Sequence, residues 1–171
     1  MTKCGIGPKF FSAAVLYGLF AGGLKHQYPE QCLIQCVPYL ILACIGGVLI
    51  AVGIAVYIMA LRTFNAGYRK GLLVTEGAFS VVRHPIYAAW ILCIIPGFAM
   101  VFHSWPMLLV PLVAYVGFRL LISQEEEVLK QKFGDKYLNY KSRTREFFPC
   151  RKKMIDALVK KVRYERLLLP T

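Results

Sequence analysis

Two short runs in this sequence carry side chains able to do chemistry. The first is Arg83-His84-Pro85-Ile86-Tyr87, and the second is Glu125-Glu126-Glu127. Residues 86–118, which separate them, hold no formal charge. Proline is favoured at the first helical position, so Pro85 predicts the start of a helix that enters lipid. The unpaired N–H groups of such a start suit a carboxylate or phosphate. Arg83 and His84 stand at its mouth. Taken singly, each has a plainer reading: Arg83 as a side chain snorkelling to headgroups, His84 as an interfacial cap.

The three glutamates also read as an acidic helix start that complements the dipole. Their spacing separates them. Glu126 has Lys130 four residues on, the pattern of a surface ion pair. Glu125 instead falls in line with Phe118, Leu121 or Ile122, Leu129 and Phe133, at helical spacing on an apolar face. A carboxylate on such a face is costly unless it meets a cation. An anion-binding helix start, an inward carboxylate and a lipid-facing cavity together suit a zwitterionic ligand with an amino and a carboxylate end.

These residues need a membrane scaffold, and composition supplies one. The chain has 171 residues, 57% of them hydrophobic, and mean hydropathy of +0.53. That is too apolar for an ordinary soluble domain. The length suggests a single domain over 1–171. The formal net charge is +12, and 14 of the 21 Lys and Arg lie in residues 119–171. A basic tail on an apolar body points to anionic membrane lipids. No nucleic-acid-binding module is visible, so nucleic acid is not an expected partner. Of the six cysteines, Cys44 and Cys93 sit in apolar runs as small hydrophobes. Cys32 and Cys36 lack a matching second pair, which argues against a zinc site. Cys4 and Cys150 carry no signal, and no metal is expected.

The expected fold is an all-α integral membrane protein with about four transmembrane helices and C-terminal cytoplasmic or interfacial helices. Residues 10–24 form a first, short helix, with a signal peptide as the rival reading because Lys3 and Lys9 precede it. Residues 32–61 are uncharged and predict a second span over about 37–61. Gly46, Gly47 and Gly53 in it permit close helix packing. Residues 62–83 form a polar segment in which Gly67, Gly71 and Gly77 break any long helix. The Ser104-Trp105-Pro106 stretch predicts a tight turn between two short spans, about 86–102 and 106–122, with Trp105 at the interface. Beyond them comes a charged helix capped by Gly134, then a second short helix. Residues 151–169 read as a basic amphipathic segment on the membrane surface. This divides the chain into N-terminal spans (1–61), a core (62–149) and a tail (150–171). With four spans, the positive-inside rule puts the N-terminus, the 62–83 loop and the tail in the cytoplasm.

Gly77-Ala78-Phe79, then Arg83-His84-Pro85-Ile86-Tyr87, a hydrophobic hairpin, and Glu125-Glu126 with Leu129, Phe133-Gly134, Tyr137 and Tyr140 resemble the isoprenylcysteine carboxyl methyltransferase and phospholipid methyltransferase superfamily. The resemblance covers about residues 71–149. It implies S-adenosylmethionine bound at the cytosolic face without a Rossmann domain, and the chain indeed lacks a strand followed by Gly-x-Gly-x-x-Gly. It further implies that Gly71, Leu72, Leu73 and Val74 contact the cofactor. Phe79 stands where relatives often have tyrosine. His84, Pro85, Ile86 and Tyr87 would line the pocket, and Glu125, joined by Glu126, would hold the cofactor's amino group. Arg83, His84 and Arg119 are the candidate catalytic residues. Leu121 stands where carboxyl-methylating relatives carry arginine, and Arg119 lies on another part of the helix. The resemblance therefore reaches the cofactor site more fully than the acceptor.

The function implied is methyl transfer to a lipophilic acceptor from the bilayer, of the isoprenylcysteine carboxylate or phospholipid amine class. For an amine acceptor, His84 is the candidate proton acceptor. An NADPH-dependent relative of the sterol reductases and a non-catalytic membrane adaptor are the alternatives.

Overall fold

The computed structural model describes residues 7–147. Expectations for Cys4, Cys150 and the basic segment 151–169 lie outside them. The described residues form helices, with only two isolated bridges, Leu33 to Ser104 and Val82 to Arg145, outside them. Helix α1 (Gly7–Gln27) is longer than the expected 10–24. A single turn, α2 (Pro29–Cys32), leads to α3 (Tyr39–Arg69). Helix α4 (Pro85–Val101) and helix α5 (Val110–Phe133) form the apolar hairpin, and α6 (Asp135–Arg143) follows.

Helix α3 runs on to Arg69 rather than stopping near residue 61. Gly67, expected to break it, lies inside it. A Cβ there would stand 2.3 Å from a Val74 methyl, so the glycine makes room for the returning loop. The helix ends instead at Gly71, whose φ of +67° is a left-handed conformation that glycine adopts freely. Leu72 N–H donates to Gly67 O at 3.0 Å, and Gly71 N–H to Tyr68 O at 3.1 Å. That pair of bonds is a Schellman cap.

Helix α4 is one helix with a wide turn. Residues Trp90–Ile94 form a π-turn, and Ile95 N–H reaches back to Trp90 O. Pro96 has no N–H to return to the preceding turn, which explains the loosened ladder. Against this helix α3 packs through glycines. A Cβ on Gly46 would lie 2.6 Å from Gly97 O, and one on Gly53 2.6 Å from Ile94. Gly47, expected to share this role, has nothing within 4 Å and faces outward.

Helix α1 crosses α5, and the core between α1, α4 and α5 holds Ala14, Ala88, Ile91, Val110, Ala114, Phe118 and Ile122. The charged stretch from Glu125 continues α5 without a break. Gly134 then ends it at φ +53°, donating to Lys130 O. The turn before α5 is fastened to α2: Trp105 Nε1 donates to Gln31 O at 2.9 Å and Trp105 N–H to Cys32 O at 3.0 Å. Two helices, Tyr39–Arg69 and Pro106–Phe133, are long and apolar enough to cross a membrane. The outward face of α3 carries Leu40, Ile41, Val48, Val52, Ile58 and Met59. In water such a surface would be a liability; in lipid it is the expected exterior.

Candidate functional site

Three short backbone devices present the site at one end of the α4–α5 hairpin. Gly77, at φ +60°, turns the chain against Thr63 and starts a 3₁₀ turn, Gly77–Ser80. Phe79 from that turn is buried and stacks on Phe64 with ring centroids 6.4 Å apart. Its carbonyl accepts a 2.6 Å hydrogen bond from Tyr140 Oη. His84 then stands at the N-cap of α4 in a non-helical conformation, Pro85 takes the first helical position, and Ala88 N–H donates to His84 O at 3.0 Å. The backbone of Arg83 and His84 is held from the other side: Arg83 N–H donates to Arg145 O at 2.8 Å and His84 N–H to Glu146 O at 3.3 Å.

Glu125 falls on the inward side, as its place in the apolar stripe requires. Phe118 is fully buried and Ile122 nearly so. Tyr87 Oη donates to Glu125 Oε2 at 2.9 Å, and His84 Nδ1 lies 4.0 Å from Oε1. The His84 and Tyr87 rings both lean on Phe118, at 5.7 and 5.4 Å. A carboxylate is thus held over an aromatic floor one turn inside the start of α4.

Glu126 does not make the surface pair that its spacing to Lys130 suggested. Lys130 Nζ instead lies 3.9 Å from exposed Glu127. Glu126, 12% exposed, receives Arg83 Nη2 at 2.8 Å on Oε1 and Lys141 Nζ at 2.7 Å on Oε2. The physical reason is α6, which folds back across α5 after Gly134 and brings Lys141 over the second glutamate. His84 Nε2 lies 3.6 Å from Glu126 Oε1, too long for a hydrogen bond. Arg83 also donates to Thr144 O at 2.8 Å and Lys141 O at 3.2 Å. Its guanidinium ties α5 to the end of α6 rather than reaching headgroups. Burial pushes the phenols of Tyr137 and Tyr140 up, with Glu126 adding to the effect at Tyr137, so both stay protonated. Among the described residues, His84 Nε2, Arg83 Nε and Tyr137 Oη are buried side-chain atoms with no hydrogen-bond partner.

Arg83, His84, Tyr87, Glu125 and Glu126 therefore converge, with Pro85 buried behind them and Phe79 joined through Tyr140. Ile86 is half-buried on the same turn. Two other sets of expected residues lie apart. Gly71 and Leu72 form the cap of α3 with Leu72 exposed, Val74 packs on Gly67, and Leu73 is half-buried between them. Arg119 turns away to Glu146, Nη1 to Oε2 at 2.7 Å. There it lines a cavity of about 290 Å³ with Tyr115, Phe118, Arg145, Glu146 and Phe147. Sequence reasoning gave no role to Lys141, Thr144 or Glu146. Lys141 stands 15 residues after its partner Glu126, beyond any helical periodicity, so no spacing rule finds it.

The model of the isoprenylcysteine carboxyl methyltransferase family matches residues 39–131, more than half of the chain. The match begins with α3 and ends within α5, so it spans both glycine-packed helices and the Arg83–Tyr87 and Glu125–Glu126 runs. No curated protein matches the chain. The match and the two long apolar helices agree on a membrane protein with methyltransferase ancestry, and the chain belongs to the isoprenylcysteine carboxyl methyltransferase (ICMT) family.

Proposed function

We propose that this chain transfers a methyl group from S-adenosylmethionine to a lipophilic acceptor that reaches the site from the bilayer. The observation that carries the reading is the Glu125 carboxylate, fixed by Tyr87 beside His84 at the start of α4. The residues suit the cofactor's charged ends. Glu125 is a partly buried anion suited to an ammonium. The buried and unpartnered Nε2 of His84, beside the start of α4, suits a carboxylate or polar ligand atom. When bound, S-adenosylmethionine supplies a methyl group on a sulfonium that an acceptor displaces in line.

The protein's part is alignment and exclusion of water. Tyr87 sets the Glu125 rotamer, and Phe118 closes the floor. Arg83, Glu126 and Lys141 lock α6 over the site. A carboxylate or thiolate acceptor needs no added base. For an amine, His84 takes the proton only where it is not committed to the cofactor. Leu121 packs against the core as an apolar residue, which favours an acceptor not gripped at that position by a guanidinium. Four membrane crossings, α1, α3, α4 and α5, put residues 62–83 and α6 together on the cytoplasmic side.

Calorimetry on the full chain in detergent tests the reading. S-adenosylmethionine is expected to bind and NADPH not to. Glu125→Gln should weaken binding about tenfold or more, the cost of a lost charge-assisted contact. Unchanged affinity in that variant overturns the site. Labelled S-adenosylmethionine incubated with membranes should then leave its label in the lipid fraction.

A further inference from the structure

Beyond the Phe118 ring lies a cavity that the methyl-transfer reading leaves unused. The cavity of about 290 Å³ has aromatic walls in Tyr115, Phe118 and Phe147 and charged groups in Arg119, Arg145 and Glu146. Two arginines and one glutamate share this lining. Glu146 meets Arg119 at 2.7 Å, while Arg145 has no acidic partner among the described residues. The cavity thus keeps an excess positive charge beside a low-dielectric wall, the arrangement that concentrates anions.

Its place on α5 says what kind of anion. Leu112, Val116 and Leu120 repeat at helical spacing and are all exposed, so they form a lipid-facing stripe. Arg119 stands at the end of that stripe, before the charged run from Glu125 to Glu127. A ligand with its head between Arg119 and Arg145 would lay an apolar tail along this face. Planar guanidiniums suit carboxylate and phosphate heads alike.

Glu146 links this cavity to the first site. Its carboxylate neutralises Arg119, and its backbone carbonyl accepts the His84 N–H at 3.3 Å. An anion entering the cavity competes with the Glu146 carboxylate for Arg119. Displacement of that side chain loosens the 144–147 segment that braces Arg83 and His84. Phe118 is the shared wall, with its ring 5.7 Å from His84 and 5.1 Å from Phe147. The head would therefore lie one ring thickness from His84, as an anchored neighbour rather than the reacting group.

We propose that this cavity is a second ligand site, one that takes the anionic head of a membrane amphiphile against Arg119 and Arg145, and that Glu146 carries its occupancy to His84. The proposal does not depend on the methyl donor, and its test needs no turnover. The full chain in neutral detergent is titrated with dodecyl phosphate, dodecanoate, dodecanol and inorganic phosphate while thermal unfolding is followed. A rise in Tm with dodecyl phosphate or dodecanoate, and none with the other two, is expected, and the stronger of the two identifies the head. An equal response to dodecanol means apolar binding alone and overturns the site. An equal response to inorganic phosphate means a free-anion site and overturns the lipid assignment.

The double variant Arg119→Gln/Arg145→Gln should lose the shift, and Arg119→Lys should keep part of it and guards against a folding defect. Glu146→Gln removes the internal competitor and should tighten head binding on the order of fivefold. Unchanged affinity in Glu146→Gln, or hydrogen exchange at residues 82–84 that does not respond to saturating ligand, overturns the link to His84.

Discussion

At the scale of single residues, two neighbouring glutamates have opposite duties. Glu125 is held by one phenol and keeps part of its surface open, whereas Glu126 is enclosed by Arg83 and Lys141. Removing one partner of a buried ion pair leaves the others uncompensated, which costs far more than the pair's net contribution. Glu126→Gln should therefore destabilise the protein by about 3 kcal/mol, at the low end of that range because Lys141 approaches from the solvent side. Glu127→Gln, next door and exposed, should cost below about 0.5 kcal/mol. Denaturant unfolding in detergent, run on both variants, separates the two. Equal losses would mean that Glu126 is not the hub. The inward set of Glu125 was legible in its spacing to Phe118 and Ile122. The capture of Glu126 was not, because Lys141 and Arg83 come from distant parts of the chain and only the fold-back at Gly134 brings them in.

At the scale of elements, the same limit decides which glycines could be read. Gly134 as a helix stop follows from sequence, since it ends a charged helix and a new helix-compatible run begins at once. Gly67 follows the opposite logic. It looks like a breaker, yet it lies within α3 because the Val74 side chain needs its missing Cβ. Gly46 and Gly47 are adjacent and identical in type, and only the partner helix distinguishes them. Gly46→Ala forces a Cβ to 2.6 Å from the Gly97 carbonyl, which neither rigid helix can relieve cheaply. It should destabilise by about 1–3 kcal/mol. Gly47→Ala meets open space and should stabilise by about 0.5–1 kcal/mol through backbone entropy. Thermal unfolding of the pair in one detergent checks both signs. A Gly46→Ala protein as stable as the parent would show that α3 and α4 do not rely on this close approach.

At the scale of the whole molecule, the apolar exterior and the polar end must agree with one orientation in the bilayer. The catalytic candidates, the α3 cap and α6 cluster at one end of the helices, and the Trp105 turn with the α2–α3 loop lies at the other. Both ends are built from long-range contacts, so the two sides of the membrane are fixed together. The proposed topology, four crossings with the basic segments inside, predicts that Cys36, exposed in the α2–α3 loop, lies on the non-cytoplasmic side. On the same topology a cysteine introduced at Glu76, exposed in the 62–83 loop, is expected on the cytoplasmic side. In sealed, right-side-out vesicles bearing variants with a single cysteine, a membrane-impermeant maleimide should label Cys36 directly and position 76 only after permeabilisation. The reverse pattern would turn the molecule over. Labelling of both from one side would mean that α3, the helix between the two positions, does not cross the bilayer.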